Sequence, residues 1–259
     1  MTKLKTLTLA CWALFTISSC RVHKGPVTSF NGPAFYNNDV SYQPKPLAAD
    51  SIHHATYLSG SIIQGQGANS NDLVNAGQLN LSIAYTTKHF NFSLGSFGAL
   101  GTFENKTVPD TQAYYFRNKA TGLAGGRASF NYYITSGKVD IRIIGIEATY
   151  SHEFGEYADF RKQVLGQPYY FTITRTDLFT YGASSEVAWY GQDPSFQFAF
   201  RLFVGQTSSG FTNFNPETFQ LQTQKFAASL AYFMQIKNVF MVVDVNPNGG
   251  HFSLGYRFQ

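Results

Sequence analysis

Ten stretches of this 259-residue chain place large apolar side chains at every second position, and that period of two constrains the fold more than any other feature. Between Gln78 and Thr86, Leu79, Leu81, Ile83 and Tyr85 share one face, while Gln78, Asn80, Ser82, Ala84 and Thr86 share the other. Phe196, Phe198, Phe200, Leu202 and Val204 repeat the pattern, as do Val239, Met241, Val243 and Val245. The closing run Phe252, Leu254, Tyr256 and Phe258 does the same. The segments fall near 55–66, 77–87, 90–103, 124–135, 138–152, 177–190, 195–208, 222–235, 238–246 and 250–258. No helical period of comparable extent is present.

Alternation alone fits a soluble sandwich as well as a membrane barrel, so the second face decides. In a water-soluble barrel it would meet solvent and be rich in Lys and Glu. Here only 13% of residues are charged, against about a quarter in an ordinary soluble domain. The second face is mostly Ser, Thr, Asn, Gln, Gly and Ala, groups that suit a crowded lumen. The bulky face then meets lipid, and only a closed sheet leaves no unpaired edge in hydrocarbon. Segment lengths suit tilted crossings of roughly 9–11 residues.

Short connections at Lys88-His89, Ser136-Gly137, Gln192-Asp193-Pro194 and Lys237 alternate with long ones at 67–76, 104–123, 153–176 and 209–221, as in outer-membrane barrels. Asn246-Pro247-Asn248-Gly249 is a short exception. The expected fold is all-β: a transmembrane antiparallel up-and-down β-barrel of about ten strands, with eight as the alternative. Trp189, Tyr232 and Tyr256 near the short turns, and Tyr150 and Phe179 near the long loops, are candidate interfacial girdles. The last strand resembles the outer-membrane assembly signal, a terminal aromatic after alternating apolar residues, shifted by one because Gln259 follows Phe258.

The N-terminus carries Lys3 and Lys5 ahead of an apolar run from Leu7 to Ile17, too short for a spanning helix of about 20 residues. It ends in Ile17-Ser18-Ser19-Cys20, which resembles the bacterial lipobox. The resemblance implies a lipoprotein signal peptide over 1–19, removed on export, and lipidation at Cys20. Cys11 lies within the removed segment, so the mature chain keeps no free thiol and forms no disulfide. Residues 20–54, with Pro26, Pro33, Pro44 and Pro46 and no sustained period, read as the lipidated N-terminus and a flexible, irregular tether. Phe30, Phe35 and Tyr36 leave open that part of it docks. Residues 55–259 form the barrel. Together these features resemble bacterial lipoproteins with an outer-membrane barrel, and a lipid in the inner leaflet would agree with short turns on the periplasmic side.

With the polar face inward, Arg127, Asp140, Arg142, Glu147, Glu186, Arg201, Lys225, Asp244 and Arg257 line the lumen. Glu147 has the opposite parity to Asp140 and Arg142, which implies a bulge near Gly145. Arg142, Glu186 and Arg201 stand at similar heights on consecutive strands, as do Arg127 and Glu147, so both groups should form ion pairs. Such pairs either fill and rigidify a narrow lumen or select solutes in a conducting one. A small barrel filled by side chains favours the sealed reading.

Gln112-Ala113-Tyr114-Tyr115-Phe116 and Gln167-Pro168-Tyr169-Tyr170-Phe171 repeat one pattern in two long loops. Their aromatics could bind a protein or glycan, or pack on each other. His152, Glu153, Glu156 and Asp159 are the best catalytic candidates, but no protease or phospholipase motif accompanies them, and solvated loop charge is the simpler reading. His53-His54 alone is weak support for a metal. The net charge of +4 is scattered and leaves no nucleic-acid footprint. The expectation is a non-enzymatic, lipid-anchored surface or envelope-assembly component, with outer-membrane lipid as surroundings and a protein or glycan partner at the loops. No cofactor or metal is implied. A narrow pore and a loop-based hydrolase are the alternatives.

Overall fold

The computed structural model describes residues 29–47, 53–67, 71–191, 195–215 and 220–258, with side chains described outside 209–224. The expected signal peptide over 1–19 and the expected lipidation site, Cys20, lie outside the described residues. In chain order the elements are β1 (Ser29–Asn31), β2 (His54–Gln66), β3 (Leu73–Thr86), β4 (Phe90–Glu104), β5 (Asn118–Ser136) and β6 (Val139–Phe154). There follow α1 (Glu156–Gln163), β7 (Tyr170–Thr172), β8 (Asp177–Tyr190), β9 (Phe196–Asn215), β10 (Gln220–Ile236), β11 (Val239–Asn246) and β12 (Gly249–Phe258).

All except β1, β7 and α1 join one closed barrel of ten strands, each antiparallel to its neighbours in sequence. β12 closes the ring against β2, running from Gly249 opposite Gly65 to Phe258 opposite Thr56. Each barrel segment read from the sequence is a strand. Several run further than the alternation suggested: β9 and β10 continue through the region expected as a loop over 209–221, pairing out to Asn215 and Gln220.

The wall is inside-out relative to a soluble protein. Leu79 is 68% exposed, whereas its neighbour Gln78 is 3% exposed. Phe200, Leu202 and Val204 also face outward. At the short-turn end Trp189, Phe198, Phe200 and Tyr232 form a connected belt on the outer surface, with ring centroids 5.0–6.4 Å apart. Tyr150, Phe179 and Tyr181 are exposed toward the other end. An apolar exterior with every strand edge paired is what hydrocarbon demands, and the protein is a transmembrane β-barrel.

The expected bulge is present. Tyr132 pairs with Ile144 and Tyr133 with Arg142, leaving Ile143 over. Ile143 and Ile144 are therefore both exposed, and Asp140, Arg142 and Glu147 all point inward.

Candidate functional site: a threaded lumen and its cap

The interior is not an open channel. Residues 29–47 run through it as an irregular strand of chain, buried at every position except the half-buried Phe30. The docking that Phe30, Phe35 and Tyr36 left open thus occurs over this stretch of the irregular N-terminal region, and it occurs inside the barrel. A segment without internal secondary structure must find partners for its backbone elsewhere, and the wall supplies them.

At the long-loop end, β1 lies parallel to β7, with Phe30 opposite Phe171 and their rings stacked at 5.5 Å. Phe35 N–H donates to Glu153 Oε1 (2.9 Å), and the Tyr36 hydroxyl to the Phe226 carbonyl (3.1 Å). Asn246 Nδ2 donates to Asn38 Oδ1 at 2.9 Å, and Asn37 Nδ2 to Asn248 Oδ1 at 2.8 Å. Midway, the Asp39 carboxylate accepts from the Thr180 hydroxyl, and its carbonyl accepts from Arg127 Nε. Lower down, Tyr42 N–H donates to Asp244 Oδ2, the Ser93 hydroxyl to Gln43 Oε1, and the Thr86 hydroxyl to the Pro46 carbonyl near the short-turn end. Gly65 and Gly95 make room: a Cβ on Gly65 would come within 2.5 Å of Asn38 Nδ2, and one on Gly95 within 2.7 Å of Gln43 Nε2.

The lumen is layered. Toward the long-loop end Ala34 and Phe35 pack with inward-facing Ile63, Phe97, Leu123 and Leu178. Toward the other end Tyr42 and Leu47 pack with Tyr57, Phe233, Phe240 and Val242. The inward face of the wall is mostly small or polar side chains, with these aromatics added at the two layers. Between the two apolar layers lies the charged belt. Arg142 pairs with Glu186, and Arg201 pairs with Glu147 at 2.9 Å and lies 3.8 Å from Asp244. Arg127 does not meet Glu147 as expected; it donates to Asn80 Oδ1 at 2.8 Å and to the Asp39 carbonyl, and its guanidinium lies 3.7 Å from the Phe97 ring centroid. Asp140 and Arg257 are buried near the short-turn end. Lys225 does not belong to the belt: the register slips between Gln224 and Phe226, and Lys225 is exposed.

The sequence reading missed Asp39, Tyr42 and Lys45, which bring the segment's own polar groups into this belt. Lys45 is buried with its ammonium 5.7 Å from the Tyr42 ring centroid. A charged pair and several aromatics inside a proline-rich stretch were the available signal. The cavity left beside Tyr42, Gln43 and Arg127 is about 20 Å³, room for about one water.

A cap closes the long-loop end. α1 starts after Gly155, whose φ of 102° suits glycine, and carries Glu156 and Asp159 in its first turn and Arg161 and Lys162 in its last, the arrangement the helix dipole favours. Its buried face holds Tyr157, Phe160 and Arg161. Tyr157 stacks on Phe103 at 3.8 Å and donates its hydroxyl to the Gly32 carbonyl; burial holds that hydroxyl well above the ordinary tyrosine range. Arg161 Nη2 reaches Glu153 Oε2 at 2.5 Å, with both side chains buried. The catalytic candidates are therefore not brought together. Glu153 points into the lumen, while His152 points outward to Asp177 at 3.0 Å. Asp159 is exposed and meets Lys162. His53 and His54 are exposed at the short-turn end.

The two Gln-x-Tyr-Tyr-Phe motifs are two copies of one turn. Tyr115 N–H bonds back to the Gln112 carbonyl and Tyr170 N–H to the Gln167 carbonyl, each at 3.2 Å. The third residue of each turn, Tyr114 or Tyr169, has a positive φ of 62° or 67°, as a type II turn requires. The turns touch: the Tyr170 hydroxyl donates to the Ala113 carbonyl, and the Tyr114 and Tyr170 rings meet edge-on at 6.1 Å. Phe116 packs on Tyr157 and Phe160. Tyr114, Tyr115, Tyr169 and Phe171 stay exposed.

No family model matches the chain, and no curated protein matches it. Among solved structures it is similar to Neisserial surface protein A, with 12% identity over 79% of this chain and 95% of that one and a TM-score of 0.36. It is also similar to an outer membrane channel from Pseudomonas putida F1, with 12% identity, 83% and 99% coverage and a TM-score of 0.40. The outer membrane protein OprG from Pseudomonas aeruginosa matches at 10% identity, 80% and 97% coverage and a TM-score of 0.34.

Proposed function

We propose that this chain is a sealed bacterial outer-membrane barrel, exported by its signal peptide and lipidated at Cys20, that works as a non-enzymatic surface component. Its long loops face outward and its cap offers a binding surface to a protein or glycan. The observation that carries this reading is the burial of residues 29–47 through the lumen, with an apolar layer on each side of the charged belt. A solute would have to displace the whole segment, together with its hydrogen bonds to the wall. Tyr114, Tyr115 and Tyr169 on the cap are exposed amphipathic rings of the kind that stack on sugars or anchor protein contacts.

Planar-bilayer recording tests this reading. The mature chain should insert without conductance steps, and a chain lacking residues 29–47 should conduct. Robust steps from the intact chain, abolished by Arg201→Ala, would favour the narrow pore instead.

A further inference from the structure

The segment in the lumen has a direction. Ser29 to Asn31 pair with Tyr170 to Thr172 in the cap. Asn38 meets Asn246 near the tight turn that ends β11 on the same side. Tyr42 is midway, at Glu186 and Asp244. Pro46 reaches Thr86 at the opposite end, where His53 also accepts from Thr86 N–H as the chain enters β2. The chain therefore enters from the long-loop end and leaves at the short-turn end. The described chain starts, at Ser29, on the long-loop side.

We propose that the mature N-terminus emerges at the cell surface, and that the acyl chains on Cys20 lie in the outer leaflet. The anchor part rests on the lipidation and orientation read above. Nine peptide steps separate Cys20 from Ser29, a reach of at most about 30 Å at the fully extended spacing. The inner leaflet is barred by two routes. Passage back through the lumen is blocked by residues 29–47 and the side chains around them. Passage down the outside of the wall would lay unpaired backbone N–H and C=O groups in hydrocarbon, each costing several kcal/mol, across an apolar band about 25 Å tall. The outer leaflet is on the side where Ser29 sits and needs no such exposure. The inner-leaflet anchor expected from the sequence assumed a free tether, and the docked segment removes that assumption.

Thiol labelling on intact cells tests the proposal with the full-length chain. Lys24→Cys and Lys237→Cys each add a thiol, the first ahead of the segment and the second in a short turn. A membrane-impermeant maleimide should label Lys24→Cys equally before and after the outer membrane is permeabilised, and Lys237→Cys only afterwards. Radiolabelled palmitate should enter the wild-type protein and not Cys20→Ala. Labelling of Lys24→Cys only after permeabilisation, in a protein that carries palmitate, overturns the proposal. Surface labelling without palmitate overturns the anchor while upholding the direction of the chain, and so places the fault in the lipidation reading. Folding of each variant is checked by the gel-mobility shift of the unheated barrel, and a misfolded Lys24→Cys is replaced by His23→Cys.

Discussion

The Tyr42 hydroxyl donates a hydrogen bond of 2.6 Å to Glu186 Oε1, and the same carboxylate oxygen pairs with the Arg142 guanidinium. One residue of the wall thus holds both its neighbouring strand and the segment inside the barrel. Tyr42→Phe should remove one hydrogen bond to a charged group and destabilise by about 1.5–3 kcal/mol. Glu186→Gln should do more, about 3–5 kcal/mol, because Arg142 is left buried without its partner. Denaturant titration in detergent, read by fluorescence of Trp189, the sole tryptophan among the described residues, would order the two. Equal losses would show that the carboxylate acts only through Tyr42.

Gly65 is the second contact that can be tested singly. Gly65→Val puts side-chain atoms where Asn38 now lies, and overpacking of this kind costs about 1–3 kcal/mol. Hydrogen exchange should show faster exchange over residues 35–40 with β3 to β6 unchanged. Uniform loss of protection around the barrel would mean that the substitution damages the wall rather than the fit of the segment.

His152 and Glu153 are adjacent in sequence and opposite in role. Glu153→Gln strips a buried arginine, Arg161, of its carboxylate, so the cap should loosen by about 3–5 kcal/mol and trypsin should cut at Arg161 or Lys162. His152→Ala removes an exposed pair with Asp177 and should stay within about 0.5 kcal/mol of wild type. The opposite ranking would restore interest in His152 as a functional group.

Phe30 and Phe171 are register partners in the parallel pair that ties the segment to the cap. In a Cys20→Ala background, Phe30→Cys with Phe171→Cys should oxidise readily to a disulfide, since paired strand positions lie within the usual Cα range of about 4.4–6.8 Å. The bridge would appear as a mobility difference between reduced and oxidised denatured chains. Persistently free thiols would contradict the docking of β1.

The wall was legible because each strand meets two different solvents, and a period of two follows. Even the bulge could be read, since Glu147 would otherwise face lipid. Lys225 could not: its parity matches the inward face, but the register slips between Gln224 and Phe226 and leaves it exposed. α1 spans only Glu156 to Gln163, too few turns for its period to stand out from loop charge. Residues 29–47 were the largest omission, for a physical reason. A chain surrounded on all sides by wall has no solvent face to alternate against, so burial leaves no periodic trace, and its prolines resemble those of a free linker.

The closing seam between β12 and β2 has a consequence for biogenesis. A ring shut around residues 29–47 is threaded like a bead on a cord. With the proposed acyl groups on Cys20 as a stopper, the bead could not slide off. Such an object would have to be put together with the segment laid across an open sheet before the last hydrogen bonds zip, and it would come apart only when that seam is prised open again.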